Sequence, residues 1–324
     1  MKNVIWISWQ DHRRTSGICD YLSIDLYVIR STRKSIARYL QLVRETIRVL
    51  MKQKPKVLLV QNPSIVLTTL CVLLRPFFHY RLIVDAHNEA VEPYVHDNIL
   101  VRGVSRFLIR RADITIVTNE YLADTVRSSG GDDVVLPDRL PEVNAVSPVE
   151  LATDTFNLVL IATYAPDEPI MAILNAAAML QDRLSLIVTG DYTRLDASIR
   201  RELPANIVFT GFLSNADYWG YLTSADAIID LTSMDNCLVC GAYEGAAVAR
   251  PLVLSRNDAT VRYFSRGAVY TDDSTQGIHR AMLELMENYD DLLAAMAQLA
   301  GELPGAWEQQ AVDLRLRIEV WSRT

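Results

Sequence analysis

Short apolar runs recur along the chain, and windows with apolar residues three and four apart lie between them. Val4–Trp9, Val57–Val60, Arg81–Asp85 and Ile114–Thr118 form one set of runs; Phe156–Ala162, Leu184–Thr189, Ile207–Thr210, Ala227–Leu231 and Pro251–Leu254 form a second. Continuous rather than alternating apolarity over this length is the pattern of strands buried on both faces. Ile36–Met51 and Ile170–Leu180 carry the helical spacing. This alternation predicts an α/β fold with two mostly parallel sheets. Pro137–Pro148, with prolines at 137, 141 and 148 and no periodicity, reads as the linker. The expected organisation is a Rossmann-like domain over residues 1–145, a second over 146–305, and a segment 306–324 whose helix, Trp307–Trp321, follows the breakers Pro304–Gly305 and packs back on the first domain.

Composition agrees with that division. At 324 residues, half of them hydrophobic, the chain exceeds one core, since a domain takes roughly 150 residues. The opening apolar run is short and broken by Gln10–Arg14, unlike a secretory signal, and the longest run, Ile65–Leu74, is about half a membrane span. A cytoplasmic protein is expected. Four cysteines, Cys19, Cys71, Cys237 and Cys240, are too sparse for a disulfide framework. Cys237 and Cys240 have the spacing of half a zinc site or of a dithiol, but the other two are not placed as its complement, so no metal is expected.

A net charge of −7 argues against a nucleic-acid binder. It hides a basic segment: Arg30 to Lys56 holds nine Lys and Arg against one acid, Glu45. Within it Ile36, Leu40, Val43, Ile47 and Leu50 make one apolar stripe, while Lys34, Arg38, Arg44, Arg48 and Lys52 fall largely elsewhere. Such a helix either rests on anionic lipid at the inner face of the plasma membrane or packs on the core with its basic face in water. Leu73–Tyr80 is a second candidate contact if its tip is a loop.

Candidate chemistry clusters after the strands. The segment Asn236–Ser255 reads as loop, short helix and strand, with Glu244 among small residues. A helix N-terminus offers unpaired N–H groups and positive partial charge to a phosphate, and Glu244 could accept bonds from sugar hydroxyls; the alternative is an exposed helix acid. Thr163-Tyr164 precedes Asp167-Glu168-Pro169, where Asp167 is the expected N-cap of the next helix and the loop either binds a pyrophosphate or simply leads into the cap. In the first half, the loop Gln10–Gly17 carries Asp11 and His12 as proton acceptors, and His87 stands after a strand beside Asn88 and Glu89, in a structural or an orienting role. No Gly-x-Gly-x-x-Gly follows a strand, which excludes the usual dinucleotide fingerprint.

These motifs, in order, resemble the GT-B glycosyltransferases. Thr163–Pro169, Gly190-Asp191, Gly211–Tyr218, Ser224–Asp226 and Asn236–Ser255 resemble the donor-binding half of family 4, with Asn236 in place of the first of that family's two Glu. Ala112–Glu120 resembles the strand and turn that close its N-terminal sheet. Thr163–Pro169 and Gly211–Tyr218, with Gln61–Ser64 and Asp85–Asn88, are also similar to the β-mannosyltransferases that extend dolichol-linked chitobiose.

The resemblance implies two Rossmann-like domains facing across a cleft and a metal-independent transfer of a hexose from a GDP- or UDP-linked donor to a glycan acceptor. That acceptor would be a lipid-linked intermediate of cell-surface polysaccharide or glycoconjugate synthesis. Donor contacts then fall to Thr163, Tyr164, Gly190, Gly211, Phe212, Leu213, Asp235, Asn236 and Glu244, acceptor contacts to Ser16, Gly17, Asn62 and Asn88, and the base to Asp11, His87 or Glu89. The family's Arg and Lys around the diphosphate loop are missing between Thr163 and Gln181, leaving Arg194, Arg256 or Arg262 as substitutes. Glu244 favours retention of configuration and the missing first Glu favours inversion. A GT-B sugar-nucleotide epimerase or hydrolase, and a non-catalytic nucleotide-binding partner of a transferase, are the competing readings.

Overall fold

The computed structural model describes residues 1–62, 64–86, 88–91, 99–144, 146–147 and 149–323. It divides into two compact units, Met1–Arg139 with Ala306–Thr324, and Leu140–Gly305.

The first unit runs β1 (Val4–Ser8), α1 (Arg13–Leu22), β2 (Asp25–Val28), α2 (Ser35–Gln53), β3 (Val57–Asn62), α3 (Ile65–Phe78), β4 (Arg81–Ala86), α4 (Asn88–Val91), α5 (Ile99–Arg111), β5 (Ile114–Val117), α6 (Glu120–Ser128) and β6 (Asp133–Val135). Its strands form one parallel sheet in the order β2-β1-β3-β4-β5-β6. Side chains alternate across each strand, which sorts the core into two layers. Ile5, Ile7, Leu58, Val60, Leu82 and Val84 meet α2, α3 and α5 through Leu42, Leu50, Leu67, Cys71, Leu108 and Ile109. Val4, Trp6, Val57, Leu59, Ile83 and Ile116 meet α1 and the C-terminal helix through Ile18, Leu22, Trp307, Leu314 and Ile318. Each of these side chains contributes about 1.5–3 kcal/mol by leaving water.

The second unit runs β7 (Phe156–Leu160), α7 (Ile170–Ala178), β8 (Leu184–Thr189), α8 (Ala197–Glu202), β9 (Ile207–Gly211), α9 (Asn215–Ser224), β10 (Ala227–Asp230), α10 (Cys240–Ala247), β11 (Leu252–Ser255), α11 (Asp258–Tyr263), β12 (Ala268–Thr271), α12 (Thr275–Glu287) and α13 (Tyr289–Arg323). Its parallel sheet has the order β12-β11-β10-β7-β8-β9. Counted from β7, that is the order 3-2-1-4-5-6 of dinucleotide-type sheets read from the other edge.

Five expectations are corrected. Strands β2, β6 and β12 were not anticipated; all three lie at sheet edges, are only partly buried, and so lack a continuous apolar run. The final helix starts at Tyr289, not Trp307, and runs through Pro304. Met296, Leu299 and Leu303 are buried in the second unit and Trp307, Ala311, Leu314 and Ile318 in the first, a stripe at steps of three and four that outweighs the exposed Pro304-Gly305. The loop Gln10–Gly17 is helical from Arg13 onward; its inward face includes Arg14 and Thr15, polar residues that masked the amphipathic pattern. The stripe on α2 is rotated. Leu42, Thr46 and Leu50 are buried, whereas Ile36 and Leu40 are 75% and 66% exposed. Leu73–Phe78 is likewise the end of α3 rather than a loop, with Tyr80 buried and its hydroxyl donating to the Cys71 carbonyl at 2.6 Å. Among the described residues no helix is long and apolar enough to cross a membrane.

Candidate functional site

Open parallel sheets bind ligands beyond the carboxyl ends of their strands, where neighbouring connections diverge to opposite faces. In the second unit that point lies between β7 and β10. Beyond β7 the chain turns at Thr163-Tyr164, with Tyr164 in the left-handed region at φ 57°. Here Glu168 folds back: its carboxylate accepts the N–H of Thr163 at 3.0 Å and of Tyr164 at 2.8 Å, and the Thr163 hydroxyl. Arg194 donates to the Thr163 carbonyl at 3.0 Å. The expected cap at Asp167 is not formed. Pro169 occupies the N-cap position of α7 without a side-chain bond. Asp167 instead accepts the Thr232 hydroxyl at 2.6 Å, and its carbonyl accepts the Ser233 N–H at 2.8 Å. Asp167 thus ties the loop after β7 to the loop after β10, which turns it away from α7. Thr232 N–H donates to Ser255 Oγ at 2.9 Å and Ser255 Oγ donates to Asp273 at 2.6 Å, extending the polar edge across β11 and β12.

Two glycines shape the neighbouring loops. At Gly190 (φ 90°) a Cβ would stand 2.1 Å from the Ala162 carbonyl oxygen, so no other residue fits. Gly211 (φ 72°) ends β9 and presents Phe212, which is 91% exposed, followed by Leu213. Asp191 accepts from the N–H and hydroxyl of Thr193, and these bonds hold its carboxyl below the usual range.

Before α10 come exposed Asp235 and half-buried Asn236, the latter left-handed at φ 54°. The first turn of that helix does not offer all its N–H groups to a ligand, as expected from sequence, because Gly241 N–H donates to Asp230 Oδ2 at 2.8 Å. A Cβ at 241 would lie 2.4 Å from that oxygen, so glycine permits the contact. Burial pushes the Asp230 carboxyl up to about 8; the Gly241 bond opposes this, while Glu168, Glu244 and Asp167 add to it. Glu244 is not a solvated helix acid. It is buried and accepts the hydroxyl of Tyr218. Arg256 and Arg262 are exposed, Arg256 lying over the Tyr270 ring at 5.5 Å.

In the first unit the corresponding divergence is between β1 and β3. Ser8 donates to Gln61 at 2.8 Å across it. Asn62 is buried, and its Oδ1, like Nδ2 of Asn88 at the start of α4, has no hydrogen-bond partner among the described residues. Nearby, buried Arg14 donates to Asp85 at 2.9 Å, to Asp138 at 2.6 Å and to the Leu136 carbonyl at 2.8 Å. Burial alone would lower the pKa of this guanidinium, but the two carboxylates raise it, so it stays charged.

Ser16 and Gly17 lie within α1, Ser16 exposed and Gly17 half-buried. Asp11 is exposed and paired with Arg30 at 2.6 Å, whose hydrogen bond holds its carboxyl below the ordinary range. His87 and the side chain of Glu89 lie outside the described residues. Among the described residues no group of three or more His, Cys, Asp or Glu is placed to hold a metal. Sequence reasoning missed Arg14, Glu168, Asp230 and Tyr218. The signal for Asp230 was its place at a strand's end, and that for Glu168 its place between the two residues read as helix-starting.

No family model matches the chain, and no curated protein matches its sequence. Solved structures do match its fold. Sucrose-phosphate synthase from Thermosynechococcus elongatus superposes with a TM-score of 0.79 at 13% identity, covering 99% of this chain and 100% of that one. Anabaena Alr3699/HepE, in complex with UDP and glucose, gives 0.73 at 12% identity over 95% and 90%. A Listeria monocytogenes protein assigned as a UDP-N-acetylglucosamine 2-epimerase gives 0.68 at 13% over 98% and 97%. Two parallel six-stranded sheets flanked by helices, with these likenesses, define the GT-B fold.

Proposed function

We propose that this chain is a glycosyltransferase that moves a hexose from a nucleoside diphosphate sugar to a glycan acceptor. The observation that carries it is the polar constellation at the β7/β10 divergence of the second sheet, where the neighbouring carboxylates hold the two loops, Glu168 bonding Thr163 and Tyr164 and Asp167 bonding Thr232. In this reading the base lies against Phe212 beside Gly211 and Leu213, and Glu244 takes the ribose hydroxyls. The sugar sits near Asp235 and Asn236, and Arg194 with the Thr163-Tyr164 turn, packed on Gly190, stabilises the leaving diphosphate. Charge developing on that diphosphate is stabilised best by donors already in place. UDP is the first donor to test, because HepE is bound to UDP and to UDP-glucose in its structures.

The acceptor falls to the first unit. Asn62 and Asn88, each with a polar atom that has no partner among the described residues, are suited to hydroxyl groups, and Ser16 and Gly17, on α1 after the first strand, are assigned with them. For the base, His87 and Glu89 are preferred to Asp11, whose bond from Arg30 makes it the poorer proton acceptor. A lipid-linked acceptor at an anionic membrane fits the exposed face of α2, α3 and α5. These three helices share one side of the first sheet and leave Ile36, Tyr39, Leu40, Leu73, Phe77 and Phe107 exposed among basic residues.

A second reading, a nucleotide-binding partner without transferase activity, is favoured by the lack of Arg or Lys between Thr163 and Gln181 and by the internal carboxylate of Glu168 on the loop's N–H groups. Incubating the protein with UDP-glucose, with and without a membrane extract as acceptor, separates the readings. Release of UDP that depends on the extract and labels its glycan fraction is expected. Conversion or hydrolysis without any acceptor would point to the epimerase or hydrolase, and no turnover of any sugar nucleotide to the non-catalytic partner.

A further inference from the structure

The carboxylate of Glu168 lies where an anionic ligand of the Thr163-Tyr164 turn would have to bind. It takes two successive backbone N–H groups, at 3.0 and 2.8 Å, together with the Thr163 hydroxyl. Successive N–H groups next to a left-handed residue, here Tyr164 at φ 57°, form the kind of concavity that binds phosphates and carboxylates. The sequence places no cation on this loop between Thr163 and Gln181. The guanidinium that does reach it, Arg194, is bonded to the Thr163 carbonyl rather than to Glu168. Glu168 is therefore held by the same neutral donors that a phosphate would use, and has no charged partner among the described residues.

We propose that Glu168 is an internal competitor for the donor's diphosphate. Binding of a nucleoside diphosphate displaces the carboxylate from Thr163 and Tyr164, and the affinity observed is the difference between the two anions. This deepens the nucleotide-sugar reading and rests on it. Two consequences follow from the chemistry. Neutralising Glu168 removes a negative charge facing the phosphates and weakens its hold on the turn, to a single amide bond in Gln and to none in Ala, so affinity for the diphosphate rises. A nucleoside without phosphates makes no use of the turn and is indifferent to the change.

The test is calorimetric titration of the full-length wild type, Glu168→Gln and Glu168→Ala with UDP, GDP and uridine. The amide of the Gln variant can still accept an N–H of the turn, so it preserves the loop, while the Ala variant vacates it. The expected result is at least a tenfold gain in affinity for a nucleoside diphosphate in both variants, with uridine affinity unchanged. Uridine binding also reports that the variants are folded. Unchanged or weaker diphosphate binding in the variants, with the wild type binding, overturns the competitor role and leaves the donor reading standing. If neither diphosphate binds wild type or variant, the competitor role falls together with the reading of a UDP- or GDP-linked donor.

Discussion

At the scale of single residues, the second unit is distinguished by carboxylates satisfied from within. Asp230 is the most perturbed of them. Its pKa moves from 3.8 to about 8, mainly by burial, against the Gly241 bond and with repulsion from Glu168, Glu244 and Asp167. Between those two values the unfolded chain carries Asp230 ionised while the folded chain keeps its proton. Folding then takes up a proton, and stability falls as pH rises through that window, by at most about 1.4 kcal/mol per pH unit from this group. Asp230→Asn retains an acceptor for the Gly241 N–H but cannot titrate. Urea unfolding between pH 5 and 9 should show the variant gaining on the wild type as pH rises, and parallel profiles would refute the assignment. Arg14 is the counterpart in the first unit. Arg14 and Asp85 are both buried, and breaking such a pair by removing one member typically costs about 3–5 kcal/mol; Asp138, which also pairs with Arg14, makes Asp85→Asn the milder of the two changes.

At the scale of elements, α2 departs most from its sequence pattern. Its C-terminal half is anchored through Leu42, Thr46 and Leu50, and Trp9 Nε1 donates to Thr46 Oγ1 at 3.0 Å. Its first turns carry Ile36 and Leu40 outward beside Lys34 and Arg38. An apolar pair flanked by cations is suited to an anionic bilayer surface, where each cation near the surface adds about 1 kcal/mol. Ile36→Ser/Leu40→Ser should leave the fold intact, because both side chains are exposed, and should reduce sedimentation with phosphatidylglycerol vesicles severalfold. Equal sedimentation of variant and wild type would contradict the proposed membrane contact of this helix. The long α13 shows the opposite balance. Helix breakers weigh about 1 kcal/mol for Gly and 3 for Pro, yet seven buried side chains from Met296 to Ile318 hold the helix through Pro304-Gly305.

At the scale of the whole molecule, the legible features were those written in apolar periodicity. The central strands of both sheets and the α/β class could be read because strands buried on both faces must be apolar throughout. Edge strands β2, β6 and β12 could not, since each is short, only partly buried and without a long apolar run, whereas β9, also at an edge, keeps Ile207-Val208-Phe209. Of the candidate site, the positions at strand ends were legible, with Thr163, Gly190 and Gly211 there and Glu244 on the helix that follows β10. Its electrostatics were not. That Glu168 bonds back to Thr163, that Asp230 reaches Gly241 and that Tyr218 meets Glu244 are contacts between segments distant in sequence or set by a local turn, and no residue spacing encodes them.

The central claim, that the second unit holds a nucleoside diphosphate sugar, is tested most directly by thermal unfolding of the protein with UDP, GDP, dTDP, CDP and ADP, in parallel with Phe212→Ala. Phe212 is 91% exposed, so its removal leaves the fold untouched, while loss of a stacked base costs about 1–3 kcal/mol of binding. A nucleotide at a hundred times its dissociation constant should stabilise the wild type by about 2.7 kcal/mol, and the variant clearly less at the same concentration. Stabilisation by none of the five nucleotides would contradict the claim.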